Sequence, residues 1–115
     1  MSWQDLIKEA LQYDVEHFSL EDIESGVASG DYQLWESDDS AMVTKGVNLQ
    51  SGGLGVQILA ASGTIDGIQT LTNEIETEAR LSGVELLTTV GRKGWKKIMG
   101  DDWLDIASVY IKRLA

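Results

Sequence analysis

Four cations crowd around one indole near the end of this sequence. Arg92, Lys93, Lys96 and Lys97 fill four of six consecutive positions in "VGRKGWKKIMGDDW" (Val90 to Trp103), with Trp95 among them and Asp101 and Asp102 just after a glycine. They are four of only nine Lys/Arg residues in a chain whose formal charge is -10. Ammonium and guanidinium groups at this density can dock on carboxylates or on phosphates. On a helix starting near Arg92, spacings of three and four put Lys93, Lys96 and Lys97 on one face, while Trp95, Ile98 and Met99 face another way. One reading is an amphipathic surface helix that packs Trp95 and Ile98 onto a sheet. The other is a docking patch for an acidic surface on a neighbouring subunit, or for phosphates inside a particle. Without these four cations the charge would be -14. Charge polarised in this way suits head-to-tail contact between copies.

Other chemistry is sparse. There is no Cys, which excludes disulfides, thiolate metal sites and cysteine nucleophiles. The single His17 cannot build a histidine-rich metal site alone. Asp31 and Glu36 flank an expected strand and His17 lies in a loop; each is a conceivable base, and none has a partner visible in the sequence. No P-loop, G-x-S-x-G or H-E-x-x-H motif occurs. "ESDDS" (Glu36 to Ser40) carries three acids but lacks the spacing and distal Glu of a calcium loop, and reads as a hairpin turn.

The chain has 115 residues, 43% apolar and 24% charged, which suits one small domain with a real core. Its pI near 4.3 argues against general nucleic-acid binding. No apolar run approaches a membrane span, and "MSWQDLIKEA" has acids where a signal peptide would be apolar.

The elements that must position these residues follow from period and punctuation. Ser2 to Tyr13 reads as a helix with a Ser2/Asp5 capping box and a stripe of Trp3, Leu6, Ile7, Ala10 and Leu11. Leu20 to Ala28 repeats the pattern, with Ser19 and Asp22 at its start and Gly30 after its end. Tyr32 to Ser37 and Ala41 to Leu49 form a hairpin, and Leu54 to Ala61 is a more buried strand. Helical period returns from Ile65 to Leu81, with Ile68, Leu71, Ile75 and Ala79 on one stripe, and Gly83 ends it. Val84 to Val90 reads as a strand inside a sheet, apolar on both faces. Lys93 to Met99 is a short helix. Trp103 to Leu114 favours a strand over a terminal helix. The expected order is α-α-β-β-β-α-β-α-β: a mixed, mostly antiparallel α+β sheet flanked by helices, with one parallel pair from the β-α-β passage.

That order is similar to the GNAT (GCN5-related acetyltransferase) fold without its first strand. The match is closer to small tailed-phage proteins that look like reduced GNAT folds. It rests on "SGDYQLWESDDSAMVT", on the hairpin ending "AMVT" and on "GRKGW", and spans Leu20 to about Trp103. The resemblance implies a pyrophosphate loop before the long helix, where the family has Q/R-x-x-G-x-G/A. The matching segment "AASGTIDGIQTL" offers Ser62, Gly63, Thr64 and Gly67, spaced G-x-x-x-G, with no Arg or Gln at its start and Asp66 where the phosphates would lie. From the residues alone, this is a strand-to-helix turn capped by Ser62 or Thr64. The resemblance also implies a tyrosine general acid after the fifth strand. Trp95 and Met99 stand in that helix instead, and Tyr110 comes too late. Together these readings give the expectation of a non-enzymatic phage virion or morphogenesis protein that binds copies of itself or other phage structural proteins through Arg92, Lys93, Trp95, Lys96 and Lys97. Such a protein would reside in the virion, and in host cytoplasm during assembly, without cofactor or membrane. The alternatives are a minimal acetyl-CoA-dependent N-acetyltransferase and a host-directed phage factor. Of the four tryptophans, Trp35 and Trp95 are expected at structured positions, and Trp3 and Trp103 as terminal core anchors.

Overall fold

A computed structural model of the chain describes residues 2–13, 18–90, 98, 100–104, 112 and 114. Two helices open it: α1 (Trp3–Ala10), followed by a 3-10 turn over Leu11–Tyr13, and α2 (Leu20–Ser29). Both begin with the same device. Ser2 Oγ accepts from the Asp5 amide at 3.2 Å, and Ser19 Oγ accepts from the Asp22 amide at 3.1 Å. In return the Asp5 and Asp22 carboxylates accept the cap-residue amides at 3.3 and 3.0 Å. Each box satisfies amides that have no partner inside the helix. Gly30 closes α2 in the left-handed conformation, φ 87°.

Three antiparallel strands follow as a meander, β1 (Tyr32–Glu36), β2 (Ser40–Asn48) and β3 (Leu54–Gly63). Then come α3 (Ile65–Leu81) and β4 (Leu86–Thr89), which pairs parallel to β3. The sheet order is β1-β2-β3-β4. Through β4, the element order is the α-α-β-β-β-α-β expected from the sequence. The short helix expected over Lys93 to Met99 lies outside the described residues except for Ile98. The closing strand expected over Trp103 to Leu114 lies outside them except at its ends and Lys112.

The sheet separates two cores. Leu6, Ile7, Ile23, Ala41, Val43 and Ala60 pack on the α1/α2 face, and Met42, Ile58, Ala61, Ile68, Leu71 and Ile75 on the α3 face. A register shift lets both cores use β3 fully. Val43 pairs with Ala60 while Thr44 pairs with Ile58, so Leu59 is an extra residue in β3. Leu59 and Ala60 therefore both meet the α1/α2 core. The terminal tryptophans are anchors: Trp3 packs on the first core, and Trp103, like Trp35, on the second.

"VELLTTV" reads as an interior strand because it is apolar on both faces. Among the described residues β4 pairs with β3, with Leu87 packed against the α3 core and Leu86 about half exposed, and the closing strand expected after it lies outside those residues. Ser19→Ala removes the α2 cap and should cost about 1 kcal/mol. Its urea midpoint should fall with an unchanged slope, since the loss is local.

Candidate functional site

The turn from β3 into α3 is where the sequence suggests ligand chemistry. Ser62 and Gly63 end β3, and Thr64 caps α3 in extended conformation, its Oγ1 accepting from the Gly67 amide at 3.1 Å. Of the two cap candidates in the sequence, Thr64 is the one used. The structure thus brings Ser62, Gly63, Thr64 and Gly67 together at the start of α3. Asp66 lies exposed in the same first turn.

A second segment closes on this turn: the tip of the β1–β2 hairpin. Ser40 pairs with Gly63, and the Thr64 amide donates to the Asp39 carbonyl at 3.4 Å. Gly63 has φ 135°, and a Cβ there would lie 2.5 Å from Ser40 Cα. Gly67 is buried, and a Cβ on it would run into Ser40 Oγ and come 2.6 Å from Asp39 Oδ1. Both glycines are thus demanded by one contact, the hairpin tip against the first turn of α3.

The Asp39 carboxylate sits in a ring of hydroxyls. It accepts from Ser40 Oγ at 3.0 Å and from Ser37 Oγ at 3.3 Å. Hydrogen bonding from Ser40, and next from Thr64, holds its carboxyl below the usual carboxylate range. An ionised group here also meets the positive end of the α3 dipole. The segment expected as a pyrophosphate cradle therefore already faces a carboxylate of the chain itself. The hairpin "ESDDS" was legible as a turn, but its tie to α3 was not. A glycine at the third position of a helix, where it is disfavoured, is the one trace of that contact in the sequence.

The remaining candidates are dispersed. Asp31 just before β1 and Glu36 at its end are both exposed. His17, Arg92, Lys93, Trp95, Lys96 and Lys97 lie outside the described residues. The residues flanking the basic stretch are placed. Thr89 Oγ1 donates to the Ile58 carbonyl at 3.3 Å. Ile98 packs on the α3 core, and its carbonyl accepts from Gln69 Nε2 at 2.9 Å. Among the described residues no group of acids and histidines could hold a metal ion, and no helix is long and apolar enough to cross a membrane.

No protein-family model matches this chain, and no curated protein matches it. Among solved structures it is similar to TTHA1254 from Thermus thermophilus. The TM-score is 0.60 for the wild type and 0.63 for a point mutant, each at 14% identity over 100% of this chain and 95% of that one. At such identity the likeness is one of fold.

Two outcomes test the hairpin–helix contact. Gly67→Ala should destabilise the protein by about 1–3 kcal/mol through overpacking against Ser40, although alanine is the better helix former. The Asp39 carboxyl is depressed in the folded state, so its stabilisation is present above the unfolded carboxylate range, about pH 4, and fades as pH falls through the folded value. Asp39→Asn should therefore lower the urea midpoint at neutral pH and leave little difference from the wild type well below that range.

Proposed function

We propose that this chain is a non-enzymatic binding module, a reduced GNAT-like fold working in a tailed-phage particle or in its assembly. It contacts copies of itself or other phage structural proteins, and its binding surface is the cationic set Arg92, Lys93, Lys96 and Lys97 around Trp95. The observation that carries this reading is the hairpin tip at α3. A CoA pyrophosphate would have to share the first turn of α3 with the Asp39 carboxylate, or displace it from the Ser40 and Ser37 hydroxyls. Like charges about 4 Å apart repel by roughly 1 kcal/mol in water and about 4 kcal/mol at a protein surface. That is about five-fold to a thousand-fold in affinity. The tyrosine that the family uses as general acid has no counterpart in "GRKGWKKIM".

A second reading is a minimal acetyl-CoA-dependent N-acetyltransferase. The parallel β3–α3–β4 unit favours it, because ligands of such units bind beyond the carboxyl ends of the strands, at a helix N-terminus. A host-directed phage factor is the third.

Mass spectrometry of purified particles of the encoding phage, calibrated against the major capsid protein, separates these. A stoichiometric signal supports the binding module. Absence from particles sinks it. Heat released on titrating acetyl-CoA into the purified protein, lost on Thr64→Asp, would favour the enzyme.

A further inference from the structure

Among the described residues β1 is an outer strand of the sheet, and its register shows which of its backbone groups are spare. The Ser37 amide donates to the Ser40 carbonyl at 2.9 Å, which makes these two a hydrogen-bonded pair at the mouth of the hairpin. Along an antiparallel ladder such pairs alternate with pairs that exchange no bonds. Trp35 opposite Met42 and Gln33 opposite Thr44 are therefore bonded pairs. Glu36, Leu34 and Tyr32, opposite Ala41, Val43 and Lys45, turn their N–H and C=O groups away from β2. Donors and acceptors thus alternate along an outer edge roughly 17 Å long. No hydrogen bond among the described residues reaches them from outside the ladder.

Sheet edges commonly carry a guard against pairing, such as a lysine, a proline or a bulge. β1 reads YQLWE, without Lys or Pro, and it pairs with β2 without a register shift. What surrounds it is negative charge. Glu36 is exposed on the strand, Asp31 and Asp38 are exposed beyond its two ends, and Glu21, Asp22 and Glu24 are exposed on α2. α2 packs on β1 so closely that a Cβ on Gly26 would strike the Tyr32 ring. From Leu20 to Ser40 there is no Lys, Arg or His. Lys45, across from Tyr32, lies one strand in from the edge.

We propose that the outer edge of β1 pairs with an extended basic segment of a partner protein, which adds a strand to the sheet. Charge complementarity selects this occupant. Two copies of β1 paired antiparallel would be related by a two-fold axis perpendicular to the sheet. That axis keeps α2 on the same side in both copies and sets two acidic helices side by side, where like charges repel. A basic segment instead finds the same acids as partners. In strand addition the main chain supplies affinity, and pockets for alternate side chains supply specificity. Tyr32 and Leu34 pack on the α1/α2 face, with Glu36 on that side by alternation, and Trp35 is half-buried on the α3 face. The fitting segment therefore alternates too, with Lys or Arg toward the α2 side and apolar residues toward Trp35. This surface uses none of the residues of the basic stretch or of the turn into α3. The inference goes beyond the binding-module reading and does not depend on it.

Amide hydrogen exchange, followed by NMR on the isotope-labelled protein, tests this. The probe is a peptide of about ten alternating lysine and valine residues, long enough to overhang β1 at both ends. In the free protein the Tyr32, Leu34 and Glu36 amides should exchange fast, and those of Gln33 and Trp35 slowly. The peptide should slow the first three, and the same peptide with glutamate for lysine should not. Methylating the peptide's backbone nitrogens leaves its charge unchanged and removes its donors. Affinity should then fall about ten-fold or more, the worth of two or three ladder bonds. Slow exchange at all five amides of the free protein overturns the inference, because the edge is then already covered. So does a methylated peptide that binds as tightly as its parent, since the contact would then be charge alone. A lysine peptide that leaves the three amides unprotected, or a glutamate peptide that protects them equally, overturns it as well. Protection of the edge that rises with protein concentration, without peptide, would make the occupant a second copy and exclude the basic partner.

Discussion

The hairpin tip at Asp39 and Ser40 is the point through which both layers of the structure are joined. It ends β1, begins β2, and touches the first turn of α3, so one contact sets the height of the long helix over the sheet. The contact is close because Gly63 and Gly67 have no side chains. It is satisfied because the buried Ser40 hydroxyl donates to Asp39. Further along α3 the seating is apolar, with Ile68, Leu71 and Ile75 over Met42 and Ile58. A polar group in that contact, Thr72, donates to the Ile68 carbonyl at 2.7 Å and touches the Met42 sulfur at 3.8 Å. No buried side-chain nitrogen or oxygen among the described residues lacks a partner. The helix is therefore pinned at one end by a polar clasp and spread over the sheet by burial, which is non-directional and would not fix its register alone.

This arrangement explains how a chain without proline or cysteine holds its turns. Hydroxyl and glycine residues do the punctuation in pairs. A serine or threonine starts each helix, and a glycine in positive φ follows the ends of α2 and α3, at Gly30 and Gly83. Gly26 serves packing instead: a Cβ there would strike the Tyr32 ring, so β1 and α2 approach to ring thickness. Tyr32 in turn meets Phe18 edge to face, with ring centroids 6.2 Å apart.

What was legible in the sequence divides by range. The caps of α1, α2 and α3 depend on partners three residues apart, and each stood where its pattern put it. The bounds of α3, Ile65 to Leu81, were fixed by a stripe and a cap that need no distant partner. The parallel pairing of β3 and β4 followed from chain order. The different burial of Leu86 and Leu87 did not, because the two look alike and only the neighbouring layer leaves one half-buried and the other exposed. The Asp39 clasp was hidden for the same reason, since 28 positions separate it from Gly67 and no local pattern spans them. The cationic set was the plainest chemical signal, and it lies outside the described residues.

The charge pattern then acquires a physical logic. A chain at -10 repels its own copies, and repulsion of that kind keeps a protein monomeric unless a local match overcomes it. Concentrating cations in one short stretch supplies such a match without neutralising the rest. α2 is suited to the opposite role, since Glu21, Asp22 and Glu24 are exposed on it with no basic residue in its sequence. At the start of α3, by contrast, the helix dipole already meets the Asp39 carboxylate. A charged contact made by either surface weakens as salt rises, because exposed charges are screened within roughly 10 Å.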